Sequence, residues 1–434
     1  MVRDGDSFVF AHLADAHVGA WPRDPAVRAA LRESVLRALE VVEERDCEFL
    51  LISGDLFHTP VPEPAEAAPV AQALKRLADA GRRVYVIYGS HDYVAHRTSW
   101  LDVLAETGIF LKAAPEPVRA EGDRFALPYR VDEPTGAVVA GLSGRSHGLD
   151  ASLFRSVDSE AFRAEPGFKI FQFHAAVREY LPAHLRGHIA GISRDDLPGG
   201  CDYYAGGHIH YTYEGSGPEG GLLVNPGAVF GTSVTDVENG ARGKTNQGLY
   251  LVRVEGGVPR PEPVRTLAVD RLRVFDVDVQ GESPEEARRH LEAEIRQASA
   301  PGTLLFPRLH GTLAEGGART LGLLETGEAS LEAGISGIHF DLDDLAHEGD
   351  AAGDALRPES ELEAEAIRLL AGGAPERFPR LRGPEGEANL RELLRELGSP
   401  RSEGESKQDY LAARIDAALR TLGVRGRSGR YGPR

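Results

Sequence analysis

Short apolar runs, each ending in an acidic or histidine-bearing block, recur through the first half of the chain and constrain its fold more than any other feature. Residues 8–13 lead into Asp15-Ala16-His17, 49–52 into Gly54-Asp55, and 84–88 into Gly89-Ser90-His91-Asp92. Runs this short and this apolar read as strands buried on both faces. Between them Val27, Leu31, Val35, Leu39 and Val42 repeat at helical spacing over 25–45. Val70, Leu74 and Leu77 do the same after a proline-rich loop at 60–64, with Gly81 as the stop. Alternating strands and helices predict an α/β fold with a largely parallel sheet and right-handed crossovers. The carboxyl ends of such strands share one edge, where loops converge on a ligand.

Two more blocks obey the same rule: 169–173 leads into His174, and 203–205 into Gly207-His208-Ile209-His210. Carboxylates can bridge two divalent cations and imidazoles supply neutral nitrogen, a mixture that suits manganese, iron or zinc better than calcium. Two metals held close together can carry a bridging hydroxide for in-line attack and neutralise a phosphoryl transition state, so phosphate-ester hydrolysis is the expected reaction. Each block alone is weak, because a histidine beside an apolar strand usually plays a structural part; the specificity lies in the ordered set. His12, inside the first strand, is read as structural. Gly54, Gly89 and Gly207 are expected to permit sharp turns that swing the next residue into the site.

Length predicts more than one core: the chain has 434 residues. Further strands are expected at 222–224 and 249–254, a composition break at 255–263, and a half-buried strand at 272–279 before a helix at 284–297. This divides the chain into a body at 1–263, a small α+β domain at 264–345, an acidic linker at 346–359, helices at 360–424 and a basic, disordered tail at 425–434. The helices expected at 361–370, 388–397 and 407–422 either pack on the preceding domain or dock a partner. The amino terminus lacks a secretory pattern and no apolar run reaches the length of a membrane span, so a soluble cytoplasmic protein without a membrane partner is expected. Cys47 and Cys201 are spaced for neither a zinc motif nor a disulfide framework. A net charge of −18 requires any contact with nucleic acid to be local. Lysine stands only at Lys75, Lys112, Lys169, Lys244 and Lys407; the resulting excess of arginine carries no DNA-binding inference.

The order DAH, GDLFH, GSHD, an isolated FH and GHIH resembles the calcineurin-like metallophosphoesterases, and GDLFH is similar to their SbcD branch of double-strand-break repair nucleases, related to the meiotic-recombination-eleven protein. The resemblance covers about 8–254 and is only positional for the small domain. It implies a two-sheet sandwich flanked by helices, a DNA-capping domain and a C-terminal helical segment. It also implies a manganese-dependent exonuclease and endonuclease acting on DNA ends and single strands as a homodimer, with an SbcC-type ABC ATPase as partner. Carried over by position, Asp15, His17 and His210 would hold one metal, His174 and His208 the other, and Asp55 would bridge them. His91 would stabilise or protonate the leaving oxygen, with Asp92 shaping its surroundings, and His58 would lie near the scissile phosphate. Ser90 stands where the family has asparagine; its shorter hydroxyl would ligate the second metal directly or through water. A small-substrate phosphodiesterase or phosphatase, or a non-catalytic scaffold, remains open.

Overall fold

The computed structural model describes residues 7–92, 99–113, 118–119, 124–144, 150–187, 189–267, 271–347, 367–368, 371 and 379–398. It divides into one unit at Met1–Ala346 and a second at His347–Arg434. The first unit is built on two six-stranded sheets. One runs β15 (Val258–Arg265), β14 (Gly248–Glu255), β1 (Phe8–Leu13), β2 (Phe49–Ser53), β3 (Arg83–Ile87) and β4 (Leu111–Lys112). The other runs β12 (Tyr213–Ser216), β13 (Leu222–Asn225), β11 (Tyr203–Ala205), β10 (Lys169–Phe173), β8 (Ala137–Leu142) and β7 (Tyr129–Asp132). β1 to β4 are parallel, as are β8, β10, β11 and β13, so all the strands expected to carry ligands send their carboxyl ends the same way within each sheet.

Aromatic residues fill the space between the sheets. Phe10 stacks on Phe49 with ring centroids 5.1 Å apart, and Tyr203 meets Phe10 edge-on at 5.2 Å. α1 (Pro25–Glu44) and α2 (Pro64–Asp79) cover the outer face of the first sheet; each begins with proline at a helix-start position, where a missing N–H costs nothing. The stripe Val27, Leu31, Val35, Leu39 and Val42 on α1 is buried, as its periodicity predicts. The other sheet packs its outer face around Phe154, Phe162, Phe171, Phe173 and Tyr204. A separate three-stranded sheet is formed by β5 (Val118–Arg119), β6 (Phe125–Ala126) and β9 (Val157–Asp158).

The expected break at 255–263 is instead the edge strand β15, paired antiparallel with β14 from Glu255↔Val258 to Gly248↔Arg265. Pro259, Pro261 and Pro263 mislead the sequence reading, since proline normally argues against a strand. At alternate positions on an edge they place every missing N–H on the outward side, where no ladder needs it and no further chain can add.

The small domain has β16 (Arg271–Asp278), β17 (Thr303–Leu313) and β18 (Gly337–Ile338) in parallel, with β19 (Asp341–His347) against β17. α7 (Pro284–Ala298), capped by a reciprocal Ser283–Glu286 box, makes the crossover, and α8 (Leu323–Glu332) follows. Leu291, Ile295, Leu305 and Leu309 form its core. The second unit contains a helix at Gly383–Gly398, which includes the expected 388–397. Most of the expected linker, the helix at 407–422 and the tail lie outside the described residues. Among the described residues no helix is long and apolar enough to cross a membrane.

Candidate metal centre

The backbone that presents the expected ligands is bent beyond what most side chains accept. Asp15, His17, Asp55 and His208 have φ values of 52°, 46°, 53° and 86°. Non-glycine residues in this left-handed region cost energy, and their concentration at one place marks a site whose geometry the surrounding fold over-determines. Asp15 N–H donates to Gly54 O at 3.1 Å and His17 N–H to Asp55 O at 2.9 Å, so the first two ligand loops brace each other. His208 N–H donates to the Asp15 carboxylate at 3.0 Å, joining the two sheets at their carboxyl edges.

The three glycines work differently from the expected common turn. Gly54 is left-handed at φ +89°, but Gly89 and Gly207 are needed for crowding: a Cβ on Gly89 would fall 2.0 Å from Asp55 Oδ1, and one on Gly207 2.2 Å from Ser53 O. The ligand loops approach so closely that no side chain fits between them.

The side chains expected to bind metal come together. Asp55 Oδ2 lies 3.2 Å from His174 Nε2 and 3.7 Å from His17 Nε2, which sets this carboxylate between the two halves of the cluster. His17 Nε2 is 3.2 Å from His210 Nε2 and 3.9 Å from Asp15 Oδ1. The donor atoms of Asp15, His17 and His210, and those of Asp15, Asp55 and His174, form two triads with each set within 4.8 Å. His208 joins neither triad, but its ring centroid is 5.1 Å from that of His174. Ser90 Oγ reaches Asp55 Oδ2 at 3.3 Å, so its hydroxyl is directed to the shared carboxylate. His91 is exposed; its Nδ1 is 2.9 Å from His58 O, and the two rings stack at 4.9 Å. His17, His58 and His91 form a further close triad on the open side.

The donor set fits divalent cations. His174 Nε2, the nitrogen that faces the Asp55 carboxylate, is buried without a hydrogen-bond partner. Burial pushes the Asp15 carboxyl up to about 6. Burial would lower His174, but Asp55 and Asp15 push it up to about 10; likewise burial opposes His210, but Asp236 and Asp15 push it up to about 9. The carboxylates therefore draw positive charge into the gap between them, and a divalent cation supplies it while using lone pairs that otherwise face one another.

Three supporting residues escaped the sequence reading or were only partly read. Asp236 Oδ2 accepts from His210 Nδ1 at 2.8 Å and from the backbone of Thr232 and Ser233 at 2.9 and 3.2 Å. The available signal was a capping box: Asp236 is the third residue of α6 (Val234–Ala241), behind Ser233. Asp92 is buried and accepts from Leu56, Phe57 and Gly89 N–H at 3.1, 3.1 and 3.2 Å, so it ties the Asp55 loop to the 89–92 turn. His12 is structural, as expected, and spans the sandwich: its ring nitrogens contact Tyr203 Oη at 2.9 Å and Gly206 O at 3.1 Å, directly ahead of the Gly207–His210 loop.

Comparison with known proteins agrees with this architecture. Residues 8–212 match the family described as calcineurin-like phosphoesterase. Over this region the chain is similar to the calcineurin-like phosphoesterases, a family of metal-dependent hydrolases. It is 24% identical to the DNA double-strand break repair protein Mre11 of Archaeoglobus fulgidus, over 68% of this chain and 67% of that protein. It is 25% identical to the protein of the same name from Methanopyrus kandleri, over 68% and 65% of the two chains. It is also 25% identical to the uncharacterized metallophosphoesterase YhaO of Bacillus subtilis, over 57% and 58%. The chain thus spans from 58% to 67% of the length of these relatives.

Proposed function

We propose that the chain is a two-metal-dependent DNA nuclease subunit of double-strand-break repair, with exonuclease and endonuclease action. The observation that carries this reading is the convergence of Asp15, His17, Asp55, His174, His208 and His210 on one edge of the sandwich, with His91 on its open side. Similarity to the Mre11 proteins directs that chemistry toward DNA.

Asp15, His17 and His210 would hold one cation and His174 and His208 the other, with Asp55 shared between the two sets. When bound, two divalent cations, taken as manganese from the resemblance to the repair nucleases, would supply charge neutralisation and an activated water nucleophile. The backbone carbonyl of His58 holds the His91 ring through Nδ1, which leaves Nε2 to stabilise or protonate the leaving oxygen. The His58 ring, stacked on His91, would lie near the scissile phosphate. The domain at 264–345 caps DNA, the segment at 360–424 docks an SbcC-type ABC ATPase, and the subunit works as a homodimer.

A nuclease assay on linear duplex and single-stranded DNA with manganese tests the reading. The natural protein is expected to degrade both, and His91→Ala to lose most of that activity on each. Hydrolysis of para-nitrophenyl phosphodiesters without any cleavage of DNA would make it a small-substrate enzyme instead.

A further inference from the structure

The small domain grips both loops that lead away from the ligands His17 and His210. Arg308, on β17, reaches Glu238 of α6 at 3.2 Å, and also Asp276 at 3.2 Å and Asp341 at 3.4 Å. Its side chain is only 19% exposed, so this fan of ion pairs is partly shielded from water and is stiffer than a surface bridge. Glu238 is two residues from Asp236, whose carboxylate holds the His210 ring. The second grip acts on the loop after His17. Trp21, left-handed at φ 62°, donates its indole N–H to Gly231 O at 3.0 Å, which joins that loop to the segment leading into α6. Its ring meets His339 at 4.9 Å and Phe306 at 5.9 Å, and His339 Nδ1 lies 3.1 Å from Asp24 Oδ2. Phe306, although on β17, is wholly buried in the core of the larger body with Trp21, Val229, Phe230 and Val234.

We propose that the small domain is a buttress of the metal centre, in which Arg308 and Phe306 are positioning residues that fix α6 and the 17–24 loop and so hold His210 and His17 in ligating geometry. This rests on reading Asp15, His17 and His210 as the ligands of one cation. The physical link is short: the ring of a metal-binding histidine is oriented by the partner of its other nitrogen, here Asp236, and Asp236 is only as fixed as the helix turn that carries it. None of these grips touches His174 or His208, so loosening the buttress weakens one cation site and spares the other.

Manganese titration calorimetry on the full chain tests this without recourse to activity. The natural protein is expected to bind two ions. Glu238→Gln and Arg308→Gln should each weaken one of them by roughly tenfold, the range typical of lost outer partners, and leave the other unchanged. The double variant should do little more than either single one, since both cut the same link. Arg308→Lys, which keeps the charge without the fork, should fall between. Unchanged affinity at both sites in a folded Glu238→Gln protein would overturn the proposal, as would equal weakening of both. A natural protein that binds no metal would overturn the reading of the ligands themselves. If Arg308→Gln does not fold, Glu238→Gln decides the matter alone, because it leaves Arg308 two other carboxylates.

Discussion

His210 Nδ1 stands 2.8 Å from Asp236 Oδ2, so the nitrogen donates to the carboxylate and the opposite nitrogen, Nε2, turns its lone pair toward Asp15 and His17. The relationship fixes both the tautomer and the ring plane of a proposed ligand that sits on a loop rather than on a strand. Asp236→Ala should therefore lower the affinity of one cation by roughly 10- to 100-fold while the fold is kept. Metal titration monitored beside circular dichroism checks it; unchanged affinity would show that loop packing alone orients His210.

Asp55 and His91 should separate assembly from turnover. Asp55 Oδ2 stands between His17 and His174, so Asp55→Ala is expected to loosen both cations and abolish hydrolysis. His91→Ala should keep the metal content and cut the rate by roughly 100-fold or more, since a proton-transfer or charge-stabilising group acts on the transition state. Metal analysis of the two purified variants beside their rates gives the answer; metal loss in His91→Ala would make His91 a ligand.

The sandwich has its own polar rivet, away from the site. Asp132 takes Arg83 Nε and Nη2 at 2.7 and 2.8 Å, Tyr85 Oη at 2.8 Å and Thr135 Oγ1 at 2.7 Å, linking the edge strand β7 to β3 of the opposite sheet. Burial would raise its pKa, but these donors, Arg83 first, hold it below the usual carboxylate value. A depressed folded-state pKa contributes stability that is full above the unfolded value of about 4 and is lost as pH falls through the folded value. Asp132→Asn should cost about 2–4 kcal/mol at neutral pH, because it leaves a partly buried guanidinium without its carboxylate. The difference between natural and variant protein in urea unfolding should shrink as pH falls below about 4. A difference independent of pH would assign the loss to packing.

What the sequence made legible was local. Strands β1, β2, β3, β10 and β11 are short apolar runs, and each ligand block follows its strand within a few residues, so strand ends and candidate ligands could be read together. What was not legible depends on partners far apart in the chain. Asp236 reads as a helix cap until His210, 26 residues earlier, is brought beside it. The inter-sheet contacts of His12 span more than 190 residues and leave no periodicity. β15 hid behind its prolines, whose meaning depends on which edge of a sheet they occupy. The buttress was invisible for the same reason: Arg308 is one arginine among many until the fold sets Glu238, Asp276 and Asp341 around it.

Ser90 is where this chain departs from the pattern it resembles, and its geometry suggests how. Its hydroxyl is 3.3 Å from Asp55 Oδ2, the same carboxylate oxygen that faces His174. A serine side chain is shorter than asparagine by a carbon and carries no amide oxygen, so an oxygen placed to hydrogen-bond the shared carboxylate reaches a cation poorly. The cation proposed for His174 and His208 should then bind less tightly than its neighbour, and activity should climb steeply with manganese concentration. Ser90→Asn is expected to supply an amide oxygen and to shift the manganese titration to lower concentration by roughly 10-fold or more, judging from what even outer-partner changes do. The rate at saturating manganese should change less, because both proteins then carry both cations. Calorimetry separates the two ions independently of turnover. If Ser90→Asn leaves both affinities where they were, another group completes the second site, and the hydroxyl serves only to orient Asp55.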